Sequence, residues 1–403
     1  MLQRLIHSAR VNMFESARFY YWVLVVLTIY FLLNRFLQKL SYVYLDDQWT
    51  ELKIGEGVLF GLAYGFILIS AWLLRRKIPR YVFWCWGGIV LIFLINEFRF
   101  AWGNPNYSLM ESLTKSQGYY TAKFTMPLLF WGVWSALKNA NHYAAVFINQ
   151  LRVFLLINAL FIISGAVFGV SLFESYPLSG RWGYSGLLWH LNFHCASYGV
   201  LLIYLLQKNH KKWAAIFLFG MALILLGQKA GILYLILIFI FIVIKNNLLR
   251  TTFLIVTIAG VISSPFWMPY AVTYAPFWEQ IYDEHGVWGV VFSLRNENIY
   301  ELFSSSDMRV LFIDWIMGGH SRYPHRVEMM PFDILLFSGF LGVFATGVFF
   351  YKIIPNWSWS VPILVACFSG GINEAPLVMV IYFVALQSIK LYEKKKKFYE
   401  TDK

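Results

Sequence analysis

The chain has 403 residues, of which 59% are hydrophobic and 13% are charged. A soluble domain carries about 25% charged residues, so this composition excludes a water-soluble globular protein. The net charge of +12 is therefore interpreted as membrane topology, and no nucleic-acid partner is expected.

Long apolar runs without polar alternation, such as residues 214–226 and 232–244, predict α-helices in lipid and not a membrane barrel. We therefore predict an all-α polytopic membrane protein in which residues 1–403 form a single transmembrane domain of about twelve helices. The predicted spans begin near Phe19, Val58, Val82, Thr121, Val153, Leu188, Trp213, Gly231, Thr252, Phe332, Ser360 and Pro376.

The basic residues between these spans indicate the topology. Most of them fall on one side of the membrane if both termini are cytoplasmic, as expected for Lys and Arg. Lys39, Lys53 and Lys115 fall on the other side and are exceptions to this scheme. That side also receives residues 272–330, which we predict to form a long extracytoplasmic loop. The three cysteines lie in apolar runs and indicate no disulfide framework.

Two short turns on the extracytoplasmic side contain a basic residue. Arg181 lies in SGRWGYSG, residues 179–186, and Lys229 lies in GQKAG, residues 227–231. Each cation has two interpretations, a ligand for phosphate or pyrophosphate and an anchor to lipid headgroups.

The loop ends in a dense polar cluster just before GFLG, residues 339–342. This cluster is either a site that binds a diphosphate and removes a proton from a sugar hydroxyl, or an ordinary solvated loop. Its position at the membrane edge favours a site. The cluster consists of Arg309, His320, Arg322, His325, Arg326 and Glu328.

His190 and His194 share one helical face, at the spacing of some metal ligands. No Glu lies between them, and a hydrogen-bonding pair inside a helix bundle is the favoured interpretation. We therefore expect neither a metal nor a cofactor. The sequence also contains no nucleotide-binding loop and no hydrolase nucleophile motif.

The order of these motifs resembles the bacterial O-antigen polymerase and O-antigen ligase superfamily. An Arg in a glycine-bounded turn is followed by a short basic turn, an SxxR element (SSDMRVLF) and a span that carries GFLG. The resemblance covers Ser179 to Gly342, and the twelve spans with cytoplasmic termini also fit it.

This resemblance implies a membrane glycosyltransferase at the periplasmic face of the bacterial inner membrane. Its substrates would be glycans linked to undecaprenyl pyrophosphate. Arg181, Lys229 and Arg309 would recognise the pyrophosphate and stabilise it as it leaves. Arg322, in the same polar cluster, is a further candidate for pyrophosphate binding.

Two positions depart from the family pattern. The short turn carries Gln228 and Lys229 where the family usually has Ser-Arg, so the bidentate guanidinium fork is lost. Ligases tend to place a His eleven residues before the first Gly of the GxxG element, and Glu328 stands there. Glu328 favours a polymerase and is the expected catalytic base, while His325 would take that role in a ligase-like alignment.

We therefore predict a metal-independent polymerase of lipid-linked oligosaccharide repeat units in O-antigen, or related lipopolysaccharide, biosynthesis. The alternatives are a ligase that transfers the glycan to lipid A-core and a flippase for lipid-linked sugars. The expected partners are the undecaprenyl-pyrophosphate-linked glycan and membrane lipids, with a chain-length regulator protein as a further candidate.

Overall fold

The computed structural model describes residues 16–44, 56–103, 108, 117–176, 181–188, 191–208, 212–304, 308–318, 327–369 and 375–401. Across these ranges the chain is helical apart from short turns and two isolated backbone bridges. The prediction of an all-α fold is therefore confirmed for the part of the chain that the structure describes.

The first eight described helices each overlap one of the first eight predicted spans. The fifth helix begins at Ala140, before the predicted start at Val153, because Phe147 and Leu151 extend its buried face across an interval that looks polar in sequence. The helices are α1 (Ala17–Tyr44), α2 (Glu56–Leu73), α3 (Arg80–Gly103), α4 (Gln117–Ala136), α5 (Ala140–Phe168), α6 (Leu191–Gln207), α7 (Trp213–Leu225) and α8 (Lys229–Ile238).

The described residues of the second half of the chain form eight further helices, three of which lie within the predicted loop 272–330. That segment is therefore helical over much of its described length. The helices are α9 (Asn247–Ile262), α10 (Ser264–Val272), α11 (Pro276–Phe292), α12 (Arg295–Ser304), α13 (Met308–Met317), α14 (Met330–Ile353), α15 (Val361–Ser369) and α16 (Pro376–Thr401).

Four of the described helices, α1, α3, α5 and α14, are long and apolar enough to cross a membrane. Helices α9 and α10 form a fifth candidate span if they are taken together, with a bend of 69° between them. Large apolar side chains such as Trp84 and Trp102 are exposed on the outside of the bundle. These features are those of a membrane protein.

Helix α16 forms the centre of the bundle. Between Val378 and Ile389 almost every side chain is buried, and the helix packs against α4, α5 and α6. Polar side chains on it bond within the bundle, since Gln387 Nε2 donates to Ser135 Oγ at 2.6 Å. A stretch that is buried on all sides carries apolar or hydrogen-bonded side chains, and Val378–Ile389 accordingly contains no charged residue.

Helix α13 is fixed against α3 and α14 by polar and backbone contacts. Arg99 on α3 pairs with the buried Asp314 at 2.6 Å, and Asn96 Nδ2 donates to the carbonyl of Met317 at 2.7 Å. Beyond the end of α13, Gly318 meets Gly339, where α14 has a non-helical break with φ of 61°. Neither glycine position has room for a Cβ atom. Backbone atoms of α14 occupy the space at Gly318, and backbone atoms of α13 occupy it at Gly339.

We predict that Gly339→Ala will destabilise the protein, whereas Gly347→Ala in the same helix will not. A Cβ atom at Gly339 would clash with the carbonyl oxygen of Ile316, and the left-handed backbone disfavours alanine. Together these effects lower the unfolding free energy by about 2 kcal/mol or more. Gly347 has open space around it. Thermal unfolding of both variants in detergent would show this difference, and equal unfolding temperatures would contradict it.

Candidate functional site

The two glycine-bounded turns identified in the sequence are in direct backbone contact. Gly227 has φ of 69°, and a Cβ atom there would clash with the carbonyl oxygen of Trp182. The backbone N–H of Tyr184 donates to the carbonyl of Leu225 at 2.7 Å. Only glycine allows this approach at this backbone conformation. The contact brings Arg181 and Lys229, which are 48 positions apart in sequence, to one place.

Arg181 is surrounded by aromatic rings and a backbone acceptor. Its Nη2 donates to the carbonyl of Gly227 at 3.1 Å, and its Cζ lies 4.2 Å from the ring centre of Tyr176 and 4.9 Å from that of Trp278. Burial lowers the pKa of the Arg181 guanidinium below its ordinary value; Tyr176 raises it and the neighbouring Arg295 lowers it. The charge of Arg181 is therefore partly desolvated and held on ring faces.

Lys229 shares the same indole. It is the first residue of α8, and its Nζ lies 3.7 Å from the ring centre of Trp278 and donates to the carbonyl of Val290 on α11. Trp278 also lies on α11 and contacts both cations. Helix α11 thus covers the two glycine turns and fixes the positions of both charges.

Arg295 and Glu328 complete the group. Arg295, at the start of α12, binds Glu328 twice: its Nη2 lies 2.9 Å from Oε2 and its Nε donates to the carbonyl at 3.2 Å. The same guanidinium is close enough to Arg181 and Lys229 to act on both electrostatically. We call Arg181, Lys229, Arg295 and Glu328 the cation cluster; it contains three basic residues and one acidic residue.

Glu328 is held in an uncommon backbone conformation just before α14. Its φ of 58° lies in the left-handed region, and its N–H donates to Oδ1 of the buried Asp333 at 3.2 Å. Half of its side chain is exposed, at 51%. The carboxylate therefore faces away from the bundle interior and towards Arg295.

Lys39 supports the turn that carries Arg181, a role that our sequence analysis did not predict. This fully buried side chain on α1 donates to Ser185 Oγ at 2.7 Å and to the carbonyl of Gly186. Asn158 on α5 holds the same turn by accepting from the N–H of Leu187 at 2.9 Å. Lys39 was visible in the sequence as an exception to the charge topology, and a lysine in such a position usually has a buried partner.

The buried charged residues among those described lie near one end of the bundle. We call it the site end: it comprises the C-terminal ends of α1, α3 and α5, the N-terminal ends of α8 and α14, and the helices α11–α13 that cover them. The buried charged residues are Lys39, Glu97, Asp314 and Asp333.

The structure brings together three of the six residues predicted for the site, namely Arg181, Lys229 and Glu328. For Arg309 only the helical backbone is described, in the first turn of α13. His325 and Arg322 lie outside the described residues. Arg295 had no assignment from sequence, because a loop arginine gives no indication of the partner it will meet.

His194, for which we predicted a hydrogen-bonding role with His190, is fully buried. Its ring lies 5.8 Å from that of Phe193 and 6.1 Å from that of Tyr198, measured between ring centres. His190 lies outside the described residues, so the predicted pair remains a prediction.

Comparison of the chain with protein-family models, with curated proteins and with solved structures gives no match.

We predict that Lys39→Met will loosen residues 181–188 without unfolding the bundle. The substitution leaves Ser185 Oγ and the carbonyl of Gly186 without their buried donor, a loss of about 1–3 kcal/mol. Hydrogen–deuterium exchange of residues 181–188 should therefore accelerate by about tenfold or more. Lys245→Met, at an exposed lysine, is the matched control. Unchanged exchange in Lys39→Met would exclude the supporting role.

Proposed function

We propose that this protein polymerises oligosaccharide repeat units carried on a lipid pyrophosphate. The observation that supports this function best is the convergence of Arg181, Lys229 and Arg295 beside the carboxylate of Glu328. Burial and mutual repulsion disfavour the charged forms of Arg181 and Lys229, and a polyanion such as a diphosphate bound between them would offset both effects.

The proposed reaction joins two lipid-linked glycans. A hydroxyl oxygen of the acceptor sugar attacks the anomeric carbon of the donor, and Glu328 accepts the hydroxyl proton. The bond between that carbon and the pyrophosphate oxygen breaks, and its electron pair leaves with the lipid pyrophosphate. The negative charge that develops on the leaving group is stabilised by Arg181, Lys229 and Arg295. Arg309 and Arg322 are further candidates for the same role, and His325 is the alternative base.

The ion pair between Arg295 and Glu328 links substrate binding to catalysis in this proposal. The Glu328 carboxylate accepts a hydrogen bond from the Arg295 guanidinium at 2.9 Å. A diphosphate that binds Arg295 competes for these donors and releases Glu328 to act on the acceptor hydroxyl. The base thus becomes available when the leaving group is in place.

The membrane arrangement proposed with this function is the one expected from sequence. Each of the twelve predicted spans overlaps a described helix, and four of these helices, or five with α9 and α10 taken together, are long enough to cross by themselves. Twelve crossings would put both termini on the same side, and the basic residues favour the cytoplasm. The site end would then face the periplasm across the bacterial inner membrane, and residues 272–330 would be the periplasmic segment that covers it.

The alternatives differ in acceptor or in class. A ligase would use the same cation cluster but transfer the glycan to lipid A-core, with His325 in place of Glu328 as the favoured base. A flippase would require charged groups along a route through the bundle. The placement of the buried charges described above at the site end favours a glycosyltransferase over a flippase.

We predict that Glu328→Gln will lower the rate of polymerisation by about 10²–10⁴-fold. Arg181→Ala and Lys229→Ala will each lower it by about 10²–10³-fold, because each removes a positive charge that acts on the leaving group. The assay uses purified protein in vesicles with lipid-pyrophosphate-linked repeat units, and gel electrophoresis measures chain length. Glu284→Gln, on the exposed face of α11, is the control carboxylate.

The same variants in cells separate the candidate functions. A deletion strain that makes single repeat units, rescued by the wild-type gene and not by Glu328→Gln, supports the polymerase. Long polymer retained on the lipid carrier would identify a ligase instead. Unpolymerised units on the cytoplasmic face would identify a flippase.

A further inference from the structure

A separate cavity of 310 Å³ lies between α1, α2, α4 and α16. Its volume falls within the range of about 300–1,000 Å³ that small-molecule sites occupy. The lining is mainly aliphatic and aromatic, with Leu24, Leu27 and Phe66 among its residues. An apolar occupant would gain dispersion contacts with these walls.

The cavity follows α1 for about 22 Å, from Tyr20 to Arg35, at the helical rise of 1.5 Å per residue. This length suits an extended lipid chain better than a compact metabolite. The end away from Arg35 is lined by Phe130 and Val133 on α4, together with Tyr20. A membrane protein gains such an occupant directly from the surrounding lipid.

The other end of the cavity is cationic and polar. Arg35 and Lys123 line it, and both charges lie on aromatic faces: Arg35 Cζ is 4.9 Å from the ring centre of Phe31, and Lys123 Nζ is 4.3 Å from that of Tyr119. Two cations above an apolar channel match a lipid with a phosphate-containing headgroup.

This cationic end is connected to the turn that carries Arg181 through helix α1. Arg35 is one helical turn before Lys39 on the same face of α1, and Lys39 holds the turn that carries Arg181. Arg35 Nη1 also donates to Gln38 Oε1 at 2.6 Å. Residues 35–39 of α1 therefore connect the cationic end of the cavity with the turn that carries Arg181.

We propose that this cavity binds the polyprenyl chain of the acceptor substrate, with its phosphate groups against Arg35 and Lys123. The assignment rests on the proposed function, which requires two lipid-linked substrates in one protein. The cation cluster holds the donor, and the cavity holds the second lipid at the same end of the bundle.

Native mass spectrometry of the purified protein with undecaprenyl phosphate tests this assignment. We expect two bound lipids per chain. Ala63→Phe, which fills the cavity, removes one of them and lowers binding at that site by tenfold or more. Arg35→Met weakens the same lipid by about tenfold through loss of a charge-assisted hydrogen bond. Leu62→Phe, at an exposed neighbour on α2, and Arg75→Met, at an exposed arginine on a tryptophan face, are the controls.

The donor and acceptor assignments fail in different ways. If Arg181→Ala loses one lipid and Ala63→Phe loses the other, both the donor and the acceptor assignments are supported. Loss in Ala63→Phe alone retains the cavity site and rejects the donor site. Retention of both lipids in Ala63→Phe overturns the acceptor assignment, as does equal occupancy of the cavity by phosphatidylglycerol at the same concentration.

A photoreactive amino acid at position 27 gives a second readout that does not depend on how well the cavity variants fold. Leu27 lines the cavity, so the probe should label undecaprenyl phosphate and lose that label when unlabelled undecaprenyl phosphate is added. A probe at position 62, on the exposed face of α2, should give a label that phosphatidylglycerol removes equally well. The same competition pattern at both positions would overturn the proposal.

Discussion

The backbone contact between Gly183 and Gly227 is the constraint on which the site depends. Neither turn can hold a side chain at these positions, because atoms of the other turn occupy the space. Arg181 and Lys229 can therefore share Trp278 only while both glycines are present. The polar contacts of Lys39 and Asn158 act on the same turn from the opposite side and fix it to the bundle. Backbone packing thus sets the positions of Arg181 and Lys229, and the aromatic rings around them exclude water from their charged groups.

Much of the fold could be predicted from the sequence because lipid imposes a simple rule on the chain. Apolar runs of helix length appear directly as helices, and the observed helix starts agree closely with the predicted ones except at α5. Polar residues at positions 142 and 152 interrupt the apolar pattern there, but the helix continues through both positions. The helices within residues 272–330 were harder to foresee. Their polarity indicates only a segment outside the membrane, and tertiary contacts such as Arg99 with Asp314 decide how they pack.

The site was predictable in part for a similar reason. Arg181 and Lys229 are conspicuous in sequence because each stands alone in a glycine-rich turn between apolar runs. Arg295 and Trp278 have no such setting, and their roles follow only from the way α11 and α12 fold over the turns. Long-range pairing of this kind leaves no periodic signal in one sequence. Lys39 could be predicted only in part. The sequence showed that it is an exception to the charge topology, but it did not show which residues it would contact.

Glu328 has a consequence for how this protein balances stability and activity. A left-handed backbone is disfavoured for glutamate by roughly 1–2 kcal/mol, and glycine or asparagine would relieve that strain. Selection for stability alone would therefore replace Glu328. A protein library screened only for heat resistance should enrich Glu328→Gly, and under the proposed function the enriched variants would have lost polymerase activity. Glu328 would then be a residue whose backbone conformation lowers the stability of the fold while its carboxylate remains opposite Arg295.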